Sequence, residues 1–223
     1  MLIMIRFSSM NSRYHTFISC RRSLLDQRLE GMRPQLVGSI LDIGGRRVGR
    51  RGAFSPQLSD AVRWVVVNPD PESSPDFIAA LPDLPFQDGQ FDIVICTEVL
   101  EYIENTQDAI NELHRVLKPN GLAVVSVPFM NRLHGDYEFD FYRYTGSFLN
   151  MAFSRVFKTT SVYPMGDLRS VIFDLIWARL RCYRYLRPIF RILGVWIVST
   201  SKDSVYDCTG FFVIARKASH YHC

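Results

Sequence analysis

The sequence predicts a doubly wound α/β domain with a mostly parallel sheet and helices on both faces, and three observations predict it. Short apolar runs at residues 36–43, 62–67, 77–80, 91–96 and 122–127 are bounded by Gly, Pro, Asn or Asp, the form of strands buried on both faces. Between the last two runs, Ala109, Ile110, Leu113, Val116 and Leu117 recur at helical spacing and Pro119-Asn120-Gly121 gives the stop signal. Strand, helix and strand in that order form a right-handed parallel unit. The 223 residues, 48% hydrophobic and 22% charged, suffice for a buried core and exclude disorder as the main state.

The remaining elements extend this unit. Residues 1–20 have no sustained period and read as a loose N-terminal arm, ahead of a single domain over 21–223. From Arg21 to Met32, Leu24, Leu25, Leu29 and Met32 fall at helical spacing until Pro34 ends the pattern. Residues 156–162 and 210–215 predict two further strands, separated by an apolar, Arg-rich insertion at 169–198. At 100° per residue, Ile172, Leu175, Ile176, Leu180 and Tyr183 form an apolar face opposite Asp174, Arg181 and Arg184, with Arg179 and Trp177 on the wrong sides. After Pro188, residues 189–198 form a second apolar element in which only Arg191 is charged. The insertion is expected to be a helical cover over the sheet or a homodimer partner, or else a peripheral membrane anchor.

Charge is unevenly spread. Residues 1–65 carry 11 basic and 4 acidic side chains (+7), residues 66–150 carry 4 and 14 (−10), and residues 151–223 carry 11 and 4 (+7). Cysteines at 20, 96, 182, 208 and 223 are odd in number and contain no C-x-x-C pair, so neither a disulfide framework nor a metal site is expected. The five apolar residues before Arg6 are too few for a signal-peptide core, and no window of 18 residues is apolar and uncharged. A cytoplasmic location is expected, at the membrane surface if the insertion anchors the chain.

Ligands of such sheets bind at the carboxyl ends of the strands. Asp42 with Gly44 and Gly45 puts a carboxylate beside a turn that lets backbone approach a ligand, although a tight turn without ligand has the same form. The glycines at 44, 45, 49 and 52 do not match G-x-G-x-x-G, which disfavours a nicotinamide enzyme. Asn68 and Asp70 end the second strand, where they suit a ribose diol or a plain Pro-Asp turn. Residues 81–88, rigidified by Pro82 and Pro85, offer apolar surface to a flat ring or serve as a connector.

The order of motifs is more specific than any one of them. Leu41-Asp42-Ile43-Gly44, Asp83-Leu84-Pro85-Phe86, Phe91-Asp92-Ile93-Val94, Thr97-Glu98-Val99-Leu100-Glu101, the run from Leu113 to Gly121 and Ser126-Val127-Pro128-Phe129 together resemble class I S-adenosylmethionine-dependent methyltransferases of the type 11 branch. The resemblance covers roughly residues 38–145. It implies a Rossmann-like sheet of seven strands with a reversed last hairpin. It further implies S-adenosylmethionine as cofactor, with Asp42, Gly44 and Gly45 at its methionine part, Asn68 or Asp70 at its ribose, Leu81 at its adenine and Thr97 near its amino group. The chain departs from the pattern at Arg46, where a further glycine is usual, and at Asn68 and Ala80, where acids are usual.

Methyl transfer needs in-line alignment of the acceptor, and a base only if the acceptor must lose a proton. The segment 128–145, rich in aromatic and ionisable groups, looks like the family's acceptor loop. It supplies His134 as the candidate general base and Asp140, Arg143 and Tyr144 as acceptor contacts, with Tyr102 standing where many relatives carry His. Asp140 and Arg143, three apart, can also simply pair with each other. The expected acceptor is a small molecule, a glycan or a lipid-linked group. Nucleic acid is disfavoured, because the predicted site lies in the acidic third of the chain. The rival expectation is a methyltransferase-like binding subunit without catalysis.

Overall fold

The structure, a computed structural model, describes residues 18–49, 52–55, 62–133, 137–180 and 182–219. Eleven helices and strands follow in chain order among these residues: α1 Cys20–Met32, β1 Gly38–Ile43, β2 Val62–Val67, β3 Phe91–Thr97, α2 Thr106–Val116, β4 Leu117–Pro128, α3 Gly146–Ser154, β5 Thr159–Met165, α4 Leu168–Leu180, α5 Arg187–Thr200 and β6 Gly210–Arg216. The sheet order is β2-β1-β3-β4-β6-β5. β1 to β4 run parallel, and β6 is antiparallel to both its neighbours. Pro164 is tolerated in β5 because this is the sheet edge, paired on one side alone.

Each face of the sheet has its own core. Leu41, Ile43, Val65, Val94, Cys96 and Val125 point to the side covered by Ile110 and Leu113 of α2 and Leu149 and Phe153 of α3. Ile40, Trp64, Val66, Ile95 and Val124 point to the other, against Leu25 and Leu29 of α1, Phe173 and Trp177 of α4 and Ile197 of α5. This alternation is the period-2 geometry of a strand buried twice.

Among the described residues the sheet has six strands, one fewer than the resemblance implies. The segment 77–80 forms a single parallel bridge, Val67 to Phe77, and then turns through an Ala80–Asp83 bridge. A side chain takes the place of the missing ladder: Asp76 Oδ2 accepts the Val66 amide at 2.8 Å and is held by Arg47. Among the described residues, the main-chain bonds on this edge of β2 are confined to the Val66 carbonyl, which accepts the Asp76 and Phe77 amides, and the Asn68 amide, which donates to Phe77 O.

The expected cover at 169–198 is a pair of helices, but the break precedes Pro188: α4 ends at Leu180, and Pro188 sits in the first turn of α5, where its missing amide costs nothing. α4 is also rotated from the expected orientation. Asp174, placed by the sequence on the solvent side, is buried at 7% exposure, whereas Ile172, Leu175 and Ile176 are exposed. The reason is the start of α1. Asp174 accepts the Cys20 and Arg21 amides at 2.7 and 2.9 Å, and Ser19 Oγ accepts that of Arg22 at 3.1 Å. The first amides of α1, which have no partner within the helix, are thus satisfied. Trp177 Nε1, one turn on from Asp174, donates to Ile18 O at 2.8 Å, and its ring stacks on Phe190 of α5. Two polar contacts therefore set the rotation of α4 against its apolar periodicity. Of the expected arm, residues 18–20 belong to this capped start, and the rest lies outside the described residues.

Asp174→Ala should lower stability in urea by about 2 kcal/mol, since buried amides lose their acceptor. Ile172→Ser on the exposed face should stay within about 0.5 kcal/mol of the parent. Burial raises the Asp174 carboxyl above its ordinary value. Its contribution is then fully present below the unfolded pKa and is lost as pH rises through the folded one. Asp174→Asn, which does not titrate, should therefore cost more near pH 4 than near pH 7, a difference that denaturation at the two pH values measures directly.

Candidate active site at the carboxyl ends of β1 and β3

A crevice opens in a doubly wound sheet where the direction of winding reverses. The order β2-β1-β3 places that point between β1 and β3. Gly44, the first residue after β1, has φ +74°, and a Cβ there would lie 2.4 Å from Val99 Cγ2. The turns after the two strands therefore touch, and only glycine meets both the conformation and the contact. A Cβ on Gly45 would lie 2.5 Å from the Asp42 carboxylate, whose Oδ2 accepts the indole Nε1–H of Trp64 at 3.1 Å. Asp42, Gly44, Gly45, Thr97 and Val99 are all half-buried at this point.

The β3 side carries a charge cluster that the sequence reading did not assign. Glu98 has φ +58°, its amide donates to Ser126 O at 2.9 Å, and its Oε1 accepts Ser126 Oγ–H at 3.0 Å. Arg21 of α1 forms an ion pair with the other oxygen of Glu98. Burial lowers the Arg21 pKa, opposed by the charges of Glu101 and Asp174. Glu101 is fully buried and lies close enough to act on both Arg21 and Arg143. Nothing local to Arg21 marks it, because its partner is 77 positions away in the chain.

The β2 side is closed by its own side chains. Asn68 Nδ2 donates to Gly45 O and Asn68 Oδ1 accepts the Asp70 amide, both at 2.9 Å. Arg46 Nη2 donates to Asp70 Oδ2 at 2.8 Å. The two residues assigned to a ribose thus hold the turn together. Leu81 puts its side chain into the core, so that a ligand contact from it is a main-chain contact. The loop around it is clamped to α2: Glu112 accepts the Leu84 amide, and Arg115 donates to the carbonyls of Leu84 and Phe86. That clamp is the physical link between the Asp83–Phe86 and Leu113–Gly121 motifs.

Beyond β4, Phe129 and Met130 donate their amides to Thr209 O and Cys208 O, which carries the antiparallel pairing with the chain before β6 past the strand ends. His134 lies outside the described residues. Asp140 and Arg143 pair in a two-pronged contact with the Asp140 side chain fully buried, and this bond raises the Arg143 pKa. Tyr102 is half-buried, near enough to Arg143 to act on its charge. Tyr144 is not part of an open acceptor surface: it is buried, its hydroxyl donates to Leu100 O at 2.9 Å and shares a 2.6 Å bond with Thr106 Oγ1. Burial pushes its pKa up to about 12. Among the described residues of this segment, the exposed rings are Phe139, Phe141 and Tyr142.

S-adenosylmethionine carries its positive charges on the sulfonium and the ammonium. The methionine end of the crevice fits it at one side: Gly44 and Gly45 carry no side chain and lie beside the half-buried Asp42 carboxylate, whereas Glu98 across the β3 turn is already paired with Arg21 and Glu101 is fully buried. The fit is poorer at the ribose end, where Arg46 holds Asp70.

Comparisons with known proteins bear on the family and the fold. A family model described as a methyltransferase domain matches residues 53–125. An uncharacterised methyltransferase of Mycolicibacterium gilvum is 29% identical over 160 residues, covering 63% of this chain and 60% of its own. A ubiquinone biosynthesis O-methyltransferase of Rickettsia bellii is 46% identical over 91 residues, 41% of this chain and 37% of its own. The chain thus spans less than two thirds of the length of either. Among solved structures, methyltransferases of Thermotoga maritima and Archaeoglobus fulgidus superpose with a TM-score of 0.53, at 12% and 13% identity, over 89% and 87% of this chain and 91% and 93% of theirs. These two share the fold.

Tyr144→Phe should cost about 1–2 kcal/mol in chemical denaturation, because a buried carbonyl and a buried hydroxyl lose a partner. Phe141→Ala, on the exposed side of the same segment, should change stability by about 0.5 kcal/mol or less.

Proposed function

We propose that this chain, which belongs to the class I S-adenosylmethionine-dependent methyltransferases, moves a methyl group from S-adenosylmethionine to a small-molecule acceptor brought in beside the segment 129–145. The observation that carries the reading is the contact of the Gly44 turn with Val99 across the β1–β3 reversal, with Asp42 alongside. Asp42 and the backbone of Gly44 and Gly45 hold the methionine end, and Thr97 lies at its amino group. Trp64 fixes the Asp42 carboxylate in one orientation, so that little is lost in ordering it on binding. When bound, S-adenosylmethionine supplies an electrophilic methyl group on a sulfonium.

The chain's part in the chemistry is to align the acceptor and to exclude water. Phe139, Phe141 and Tyr142, exposed beyond β4, suit the walls of that approach, and the buried Asp140–Arg143 pair keeps the segment's end in place. His134 is assigned the proton of a hydroxyl acceptor. The Rickettsia relatives, named as O-methyltransferases, favour oxygen as the accepting atom. A glycan or a lipid-linked acceptor is the finer form of this proposal.

The rival reading, a binding subunit without catalysis, is favoured by one observation, the use of Asn68 and Asp70 within their own turn. Calorimetric titration with S-adenosylmethionine and S-adenosylhomocysteine separates the two. Saturable binding, weakened at least about tenfold (1.4 kcal/mol) by Asp42→Ala, is the expected result; a parent chain that binds neither compound overturns the assignment. His134→Ala should lower turnover by about 10²-fold and leave cofactor affinity unchanged. Turnover at the parent rate would remove His134 from the chemistry.

A further inference from the structure

The rotation of α4 leaves an apolar surface that no element among the described residues covers. On α4, Leu168, Ile172, Leu175 and Ile176 are exposed, and on α5 so are Ile189, Ile192, Leu193 and Trp196. Both sets fall at helical spacing, so each helix presents one continuous stripe to solvent. Ile192 is 73% exposed and Trp196 54%. Contiguous apolar surface of this kind marks an interaction site.

The charge around it selects the occupant. From Leu175 to Lys202 the chain has six basic residues and no acidic one. Arg179, Arg184 and Arg187 are exposed at the turn between the helices, with Tyr183 and Tyr185 exposed beside them. A two-fold dimer through this face would set like charge against like. Aliphatic stripes edged by arginine, tyrosine and tryptophan match instead the boundary between acyl chains and anionic headgroups. Among the described residues no helix is long and apolar enough to cross a membrane, so contact would be from one side.

We propose that the α4–α5 hairpin docks this protein on an anionic lipid surface. The hairpin is close to the site: Asp174 of α4 binds the amide of Arg21, whose side chain pairs with Glu98 at the end of β3. Presentation of a lipid-linked acceptor there rests on the proposed methyl transfer, whereas docking does not.

Sedimentation with vesicles of phosphatidylcholine, alone and with about a third phosphatidylglycerol, tests docking without any activity assay. The full chain should sediment with the anionic vesicles only, and added salt should weaken binding. Arg179→Gln, Arg184→Gln and Arg187→Gln combined should weaken it at least about tenfold. Ile172→Ser combined with Ile192→Ser should do the same by removing buried apolar area. All five positions are exposed, and unchanged urea midpoints would show that the variants fold. If either variant fails to fold, the parent decides, since a blue shift of emission on anionic vesicles that disappears in Trp196→Phe reports burial of that ring. Absence of vesicle binding, equal binding to neutral vesicles, or a dimer that the paired Ser variant makes monomeric would each overturn the proposal.

Discussion

The carboxylate of Asp174 accepts the first two amides of α1, and several features of the fold depend on that contact. An uncapped α1 would leave these donors buried without partners beside α4, at a cost comparable to a sizeable part of a domain's net stability. Meeting that requirement turns α4 so that Asp174 and Trp177 face inward. The aliphatic stripe through Ile172, Leu175 and Ile176 then has to face outward. The cap also holds the start of α1 where Arg21 reaches Glu98. A single buried acceptor thus couples the outer surface of one layer to the mouth of the crevice.

The crevice itself shows how a parallel sheet collects charge. β1, β3 and β4 end side by side, and their turns bring Asp42, Glu98 and Glu101 within one region. Bare carboxylates so placed would repel one another and lose solvation. Two arginines from outside the sheet offset this, Arg21 from α1 and Arg143 from the segment before α3. Neither is on a strand, so the balance of the site is set by elements that a strand-by-strand reading treats as periphery.

The sheet and its direction were legible because β1 to β4 are apolar on both faces and punctuated by Gly, Pro and Asn. The same rule overcounted at 77–80, where hydrophobicity is present but Asp76 takes the amide that a ladder needs. For α4, the periodicity test weighs side chains by polarity and has no means to register that Asp174 is needed as an acceptor by another helix. The turn at Gly44 was legible, since glycine at a strand end suits its positive φ, whereas Glu98 and Arg21 become a pair only once α1 is packed. The place of Tyr144 was hidden for a related reason: its ring belongs to an aromatic segment, but its hydroxyl bonds Leu100 and Thr106 in the core.

The departures from the family's pattern at positions 46 and 68 form one unit. Asn68 uses both ends of its amide, donating to Gly45 O and accepting from the Asp70 amide. An aspartate there could accept but not donate, and would set its charge against the Gly45 carbonyl. With a neutral group at 68, the carboxylate on this edge is supplied two residues on by Asp70, and Arg46 is the side chain that holds it. Replacing either Arg46 or Asn68 alone by the usual residue would break a contact of the other's turn. The turn after β1 and the turn after β2 are therefore rebuilt together, with contacts that satisfy each other, and such mutual consistency is the mark of a structured edge to the crevice. Asp70, 38% exposed in its side chain, keeps contact with solvent while Arg46 and the Glu72 amide hold its two oxygens.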